Sequence, residues 1–448
     1  LKQSKIDLLV IDEAHCISTW GHNFRPDYLR LPTVMKEFGN PQILALTATA
    51  TIEVEKDIQQ QLGITCQVFK ASFDRPNLYL EVVPLAENVK KELFLLNLLQ
   101  KLTGPTIIFV TYQRTAEKLA QLISATGVSC LYYHAGLESE EREKRQNAFI
   151  SGECDIIIAT IAFGMGIDKP NIRTIIHYNL PQSIENYYQE IGRAGRDGNI
   201  SQCITLLSKS DERNIKNLIA NGWPDHTKIN DIILYFNGKK KSALFLTPRK
   251  LYFDCDVKEI AANLILHRLE EMNLIKIYSH VPFRIKLQLD IPISSIIERN
   301  PDLNEDLQKL FSGSFFHHSQ RKWFLFEEAM DEGGWLYFKL LELLRLLKSR
   351  GVLQFLEVER RDLVLIKEEI KTADIVPLVR LFQTILERDL QKVDALVAVL
   401  TQQSCLRRAI LQYFAEPDVK ENCPSCGFCL GKNTALGLTA EIDENYAS

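Results

Sequence analysis

Short apolar runs closed off by turn residues alternate with helical stretches from Ile6 to about Leu207: Ile6–Ile11, Gln42–Leu46, Thr106–Val110, Cys130–Tyr133, Asp155–Ala159, Thr174–Tyr178 and Cys203–Leu207. That alternation predicts parallel α/β units, with strands and helices taking turns along the chain. A seam falls at Phe73–Glu87, where Asp74-Arg75-Pro76-Asn77 and Pro84–Asn88 interrupt the pattern. It separates residues 1–84, the remnant of one lobe, from residues 85–208, a complete second lobe.

Past Ser208 the alternation stops. Val257–Met272 carries Ile260, Leu264, Leu269 and Met272 at helical spacing and is followed by Leu274–Tyr278, a His-Val-Pro turn and Phe283–Leu289. The scheme returns about eighty residues later, with helix Trp335–Lys348, a stop at Gly351, strand Val352–Val358, turn Glu359–Asp362 and strand Leu363–Lys367. A helix with a two-stranded wing, twice, predicts tandem winged-helix-like modules over 209–300 and 301–372. Each wing carries cations suited to phosphates, Lys276, Arg284 and Lys286 in the first and Arg350, Arg360 and Arg361 in the second. The same charges would equally serve as the solvated face of a small α+β domain. Residues 373–432 read as a helical, cysteine-bearing element, and 433–448 as a disordered polar tail.

Composition narrows the partners. The chain's 448 residues allow about three domains, and a formal net charge of −4 gives no global basic field. Contact with nucleic acid must therefore come from local patches. No apolar run reaches membrane-spanning length, and no signal peptide opens the chain. Six of the ten cysteines are scattered and four crowd the C-terminal end, which favours a reducing compartment. The expected location is the cytoplasm, at the nucleoid, in a bacterium and the nucleus in a eukaryote.

The first chemistry sits at the end of the first strand. Asp12-Glu13 places two carboxylates beyond a carboxyl edge, where nucleotides bind α/β sheets. Asp12 would hold Mg²⁺, and Glu13 would orient and deprotonate an attacking water. Alone, Asp12-Glu13-Ala14-His15 could be a helix start with solvated acids. It continues, however, as Cys16-Ile17-Ser18-Thr19-Trp20-Gly21-His22-Asn23-Phe24-Arg25-Pro26-Asp27-Tyr28, an aromatic and basic loop fit to stack on bases. This segment closely resembles the aromatic-rich loop of RecQ-family DNA helicases. The resemblance implies that Ser18, Trp20, His22, Phe24 and Arg25 sense single-stranded DNA and report through His15 to the acidic pair.

The likeness continues through Leu46-Thr47-Ala48-Thr49-Ala50 and the hinge Ser72-Phe73-Asp74-Arg75-Pro76-Asn77. In the second lobe it covers Tyr133-His134-Ala135-Gly136-Leu137 and Ala159-Thr160-Ile161-Ala162-Phe163-Gly164-Met165-Gly166-Ile167-Asp168-Lys169-Pro170. Gly164 and Gly166 would permit close approach of the nucleotide, Asp168 would accept a bond from its ribose, and His134 is left as a DNA or structural residue. In Gln189-Glu190-Ile191-Gly192-Arg193-Ala194-Gly195-Arg196-Asp197-Gly198, paired guanidiniums can reach a γ-phosphate. Arg196 is the expected finger, with Arg193 and Gln189 in support.

Cys405, Cys423, Cys426 and Cys429 have the spacing of a closed tetrahedral Zn²⁺ site, with a disulfide pair or an iron–sulfur cluster as alternatives. The surrounding Cys-Leu-Arg-Arg to Tyr-Phe run again resembles the RecQ zinc element.

The resemblance implies two RecA-like lobes, the first partial, and an ATP- and Mg²⁺-dependent motor that moves 3′ to 5′ on single-stranded DNA and separates duplex DNA in repair or recombination. The usual RecQ order puts the zinc element directly after the motor, whereas here about two hundred residues separate Ser208 from the first of the four cysteines, Cys405. No GxxxxGK[ST] phosphate loop occurs. The nearest string, Gly238-Lys239-Lys240-Lys241-Ser242, lacks the spacing, and the chain opens on Leu1. The expectation is a motor truncated in its first lobe and inactive alone. The competing readings are a non-enzymatic DNA-binding protein with a vestigial motor and an RNA helicase.

Overall fold

The computed structural model describes residues 6–18, 24–86, 89–164, 167–238, 243–313, 316 and 323–431. The chain divides into two units, one of residues 1–222 and 384–448 and the other of residues 223–383. Among the described residues no helix is long and apolar enough to cross a membrane.

In the first unit, strands β1 (Leu8–Ile11) and β2 (Gln42–Ala45) form a parallel pair. Ile11, Ala14, Ile17 and Met35 pack with Val54, Ile58 and Leu62 of helix Ile52–Leu62 beneath it. Thr51 caps that helix by accepting from the Val54 amide, and Gly63 ends it in the left-handed region. The outward side chains Leu8, Val10, Leu44 and Leu46 are 44–50% exposed, so this small sheet keeps an open apolar face.

A six-stranded parallel sheet forms the body of the unit. Its strands are β3 (Leu78–Leu85), β4 (Thr106–Phe109), β5 (Cys130–Tyr133), β6 (Ile156–Ala159), β7 (Thr174–His177) and β8 (Ser201–Ser208), in the order β3-β8-β7-β4-β6-β5. β4, β6 and β7 are buried at every position, the mark of central strands covered on both faces. Period-two alternation sorts their side chains: Ile107 and Phe109 join one core, Ile108 and Val110 the other. Helix Gln113–Ser124 lays Ala116, Leu119, Ala120 and Ile123 on the second face. The first face is covered by Leu396, Leu400, Leu406, Ile410, Phe414 and Cys426 from the C-terminal part of the chain.

β3 corrects the boundary drawn at residue 84. It pairs with β8 over its whole length, Leu78 opposite Ser201 and Leu85 opposite Ser208, and so belongs to the second lobe. The interruption at Pro84 is real but tolerated, because β3 is the sheet's edge strand and proline withholds no ladder bond there. Its free side is partly covered from residues far along the chain: Leu80 bridges Cys426, and its amide donates to the Ser425 carbonyl at 3.0 Å.

Among the described residues the second unit contains one sheet, ordered β11-β10-β12-β9, of β9 (Ala243–Phe245), β10 (Ile275–Leu289), β11 (Phe324–Leu325) and β12 (Leu353–Ile366). The repeat read from the sequence is present, but the two expected wings are not separate hairpins. Each half is a helix, a left-handed stop and one long strand: Glu259–Glu271, Asn273 and β10, then Tyr337–Ser349, Gly351 and β12. Both helices end alike, with the Leu274 amide donating to the Leu269 carbonyl and the Val352 amide to Leu347. β10 and β12 then pair with each other, antiparallel, from Ile275 opposite Ile366 to Leu289 opposite Leu353, with register shifts around Val281 and Arg284 where turns were expected. Bulges bend long strands without ending them.

Candidate nucleotide and zinc sites

Glu13 follows β1 in the left-handed region, at φ 47°, a conformation uncommon for a residue with a side chain. Its backbone amide donates to Asp12 Oδ1 at 2.9 Å. Burial and the neighbouring Asp12 push the Glu13 carboxyl above its usual range, while Arg25 and Arg193 pull it back. His15, 1% exposed, lies behind the pair with Nδ1 3.0 Å from Thr47 Oγ1 and 3.2 Å from Glu13 Oε2. The acidic pair is thus tied by one imidazole to the Thr47–Thr49 loop.

That loop touches the second lobe. Gln189 Nε2 donates to Thr49 Oγ1 at 3.1 Å, at the end of helix Ile184–Ile191, which leads into the arginine turn. Arg193 is half-buried and donates to the Gly164 carbonyl. A methyl group on Gly164 would stand 2.6 Å from its Nη2, so this glycine makes room for a guanidinium. Arg196 is more exposed, donating to the Ile167 carbonyl at 2.9 Å and reaching Asp168 Oδ1 at 3.5 Å. Asp168 itself is 92% exposed. Of the two guanidiniums, Arg193 is the one whose field acts on Glu13. Gly166 lies outside the described residues.

The loop residues divide. Trp20 and His22 lie outside the described residues, Phe24 is half-buried and Arg25 exposed. Ser18 is fully buried and donates to Asp57 Oδ2 at 2.5 Å, so its hydroxyl serves the lobe's interior and is not displayed to a strand. His134, left between a DNA and a structural role, is likewise turned inward: it is 3% exposed, with Nε2 3.1 Å from Glu117 Oε1 and its ring stacked near Tyr132. In the second unit Arg284 and Arg361 both pair with Glu359, at 2.9 and 2.6 Å, and Arg360 pairs with Glu357. Arg361 also covers the Phe283 ring at 3.6 Å. Five of the six wing cations have an acidic partner, Lys276 with Glu270 and Arg350 with Asp302 among them, and of the six only Lys286 stands exposed without a described one.

The ligand atoms of Cys405, Cys423, Cys426 and Cys429 lie within 4.8 Å of one another. Tetrahedral zinc–thiolate bonds of about 2.3 Å put sulfurs roughly 3.8 Å apart, so the cluster fits the ion. Backbone N–H groups already point at two sulfurs, Arg408 to Cys405 at 3.5 Å and Cys423 to Cys429 at 3.3 Å. Without a cation, burial pushes the Cys405 thiol up to about 12; a bound ion reverses that and holds the thiolate. Cys405 also caps helix Leu406–Tyr413, joining metal and helix.

Two residues that motif reading passed over organise this region. Arg407, 7% exposed, donates to Asp74 Oδ1 and the Arg75 carbonyl at 2.7 Å each, to Ser425 Oγ at 2.9 Å and to the Leu78 carbonyl. Arg75 donates in turn to the Ala194 and Gly195 carbonyls at 3.1 Å. Both stood inside strings already singled out, but nothing in the strings says which carbonyls they reach.

An acidic pair at a strand end, a hydroxyl loop linked to it by histidine, paired arginines on the partner lobe and a four-thiolate element define a helicase-type motor as the class. Residues 2–58 match the description DEAD/DEAH box helicase, 89–198 helicase conserved C-terminal domain, and 370–430 RecQ zinc-binding. The chain is 37% identical over 323 residues, 70% of its length, to the probable ATP-dependent DNA helicase RecS of Bacillus subtilis. It is 44% identical over 218 residues, 48% of its length, to the ATP-dependent helicase SGS1 of Saccharomyces cerevisiae, and 45% over 221 residues, 47% of its length, to the RecQ-like DNA helicase BLM of Xenopus laevis. A solved structure of S. cerevisiae Dbp5 bound to RNA and ADP BeF3 overlaps 48% of this chain and 56% of its own, at 22% identity and a TM-score of 0.41. The chain belongs to the RecQ family of DNA helicases. It spans 64% of the Bacillus relative and 15% and 16% of the yeast and frog ones.

Proposed function

We propose that this chain carries the hydrolytic acids, coupling loop, arginine turn and zinc element of an ATP-dependent DNA helicase that moves 3′ to 5′ along single-stranded DNA and opens duplexes in repair or recombination. The observation that carries the reading is the meeting of the two lobes beside the acidic pair: Gln189, on the helix leading into the arginine turn, donates to Thr49 in the loop that His15 ties to Glu13. In the bound state Mg²⁺ supplies charge neutralisation on the phosphates. Asp12 would hold that ion, Glu13 would take the proton of the attacking water with His15 fixing its carboxylate, and Arg196 would leave the exposed Asp168 for the γ-phosphate. Such an exchange costs little, because exposed ion pairs are worth under about 1 kcal/mol.

The donor set for the nucleotide is incomplete in these 448 residues, since no GxxxxGK[ST] amide cradle is among them. The chain alone is therefore expected to show no DNA-stimulated ATP turnover. Joined to the coding sequence upstream of Leu1, it should turn over ATP when single-stranded DNA is added, lose this with Glu13→Gln, and open substrates with a 3′ but not a 5′ single-stranded tail. Turnover by the 448 residues alone would overturn the first expectation. An extended chain that binds DNA without hydrolysing ATP would overturn the reading as a motor and support a non-catalytic DNA-binding protein. Stimulation by RNA but not DNA would point to an RNA helicase.

A further inference from the structure

Helix Ile184–Ile191 closes its own last turn, the Gly192, Arg193 and Ala194 amides donating to the Tyr188, Glu190 and Ile191 carbonyls. The carbonyls of the turn that follows are taken up instead by the hinge between the lobes. Arg75 donates to the Ala194 and Gly195 carbonyls at 3.1 Å, with Gly192 at 3.5 Å, and Asn77 Nδ2 donates to Gly195 at 2.8 Å and Asn199 at 3.0 Å. These carbonyls bracket both arginines of the finger turn. The fit leaves no slack: Gly195 has φ +56°, and a methyl group there would meet Asn77 Nδ2 at 2.5 Å.

The hinge is in turn held by the four-cysteine element. Arg407, two residues after the ligand Cys405, bonds Asp74, the Arg75 carbonyl and the Leu78 carbonyl, and Ser425 beside the ligand Cys426 closes the same guanidinium. Phe414 stacks on Phe73 at 4.5 Å with the rings 6° apart, the Phe73 amide donates to Glu416, and Tyr188 of the finger helix donates to the Phe73 carbonyl at 2.8 Å. At the other end of the finger helix, Tyr413 donates to Glu185 at 2.7 Å. The helix that leads into the arginine turn is clamped at both ends by residues of the zinc element or by the hinge that element holds.

We infer that Arg75 is a positioning residue for the Arg193–Arg196 turn, and that the zinc element sets it in place through Arg407. The catalytic consequence rests on the proposed function; the positioning itself does not. A fork that satisfies several carbonyls at once is a property of guanidinium and not of ammonium, so lysine at position 75 should keep the charge and lose the clamp.

The test uses the zinc-loaded 448-residue chain and hydrogen–deuterium exchange. The amides that report are Gly195, bonded to the Ile172 carbonyl, and Asp197, bonded to Pro170. Arg75→Ala and Arg75→Lys should each speed their exchange at least about tenfold, the equivalent of about 1.4 kcal/mol, with zinc content unchanged and β4 and β6 amides as slow as before. Arg407→Ala should do the same at a distance from the turn. Unchanged exchange at Gly195 and Asp197 in a folded, zinc-replete Arg75→Lys chain would overturn the inference. Should Arg75→Ala fail to fold, the lysine variant decides. In the upstream-extended chain, Arg75→Lys should lower kcat about tenfold or more while KM for ATP moves less than about threefold, as expected for an interaction used in the transition state. If the unmodified extended chain has no turnover, the proposed function fails while the exchange result still decides the positioning.

Discussion

Removing zinc, or replacing Cys426 by serine, should detach the cysteine element from the sheet while leaving β3 to β8 paired with one another. The size of the effect follows from what the element contributes on each side. Its helix places Leu406, Ile410 and Phe414, each 6% exposed or less, on one face of the sheet. Burial of such side chains is worth about 1.5–3 kcal/mol each, so about 5–9 kcal/mol for the three. A structural zinc site contributes about 10–16 kcal/mol, comparable with the whole stability of a domain. The metal therefore outweighs the packing, and packing alone should not hold the element. Metal release by a chelator, followed by limited proteolysis and binding of a hydrophobic dye, reads both halves of the argument. New cleavages should appear between Gln402 and Gly431, and dye should bind as the apolar sheet face opens. A chain proven free of zinc that resists protease over 402–431 as well as the loaded chain does, and binds no more dye than it, would refute the assignment of stability to the metal.

Three further outcomes follow. Glu13→Gln should slightly stabilise the chain at pH 7, by less than about 1 kcal/mol given the group's partial exposure. Its folded-state pKa is raised, so the wild-type carboxyl favours folding only while protonated; the variant's advantage should vanish below the ordinary glutamate range and grow as pH rises through the folded value, which denaturation at pH 4 and pH 7 would check. Gly195→Ala should cost at least about 1–2 kcal/mol in urea denaturation, because φ +56° strains an alanine and its methyl would also meet Asn77 and the Asn199 carbonyl. A double-mutant cycle of Phe73→Ala and Phe414→Ala should return a coupling of about 0.5–1.5 kcal/mol for the stacked pair, and additivity would show that the two rings do not interact.

What the sequence made legible was whatever is written locally. Continuous apolar runs such as Ile156-Ile157-Ile158-Ala159 read as central strands, and Cys423, Cys426 and Cys429 converge because the short loops between them leave little choice, while helix Leu406–Tyr413 stands between them and Cys405. β3 escaped because Pro84 and the turn residues around it mimic a loop; only its place at the sheet edge makes proline harmless there. The repeat in the second unit was visible, yet its pairing was not: a Val-Pro turn and a register bulge look alike in sequence, and the difference lies in whether the partner strand comes from the same repeat. Charge was the least readable property. Arg284, Arg360 and Arg361 look like a phosphate-binding row until Glu357 and Glu359 are seen to face them on the sheet.

The edge strand also explains why a cysteine element could become necessary to this architecture. An exposed edge with free amide and carbonyl groups invites pairing with other chains, and β3 carries Leu78, Tyr79 and Leu80, all buried here. The protection comes from the Ser425 carbonyl, which accepts from the Leu80 amide, from Cys426, which lies opposite Leu80 as its bridge partner, and from Gly427, whose added methyl would pack at 3.6 Å from the Glu81 side chain. The same few residues close the ring around Arg407 that fixes the hinge. Edge protection and hinge positioning are therefore not separable in this fold. A change that frees the zinc knuckle uncovers a sticky strand and loosens the arginine turn together, so aggregation and loss of finger order should appear at the same chelator concentration. If dye binding and fast exchange at Gly195 were instead to set in at clearly different zinc occupancies, the two functions would have to reside in different contacts.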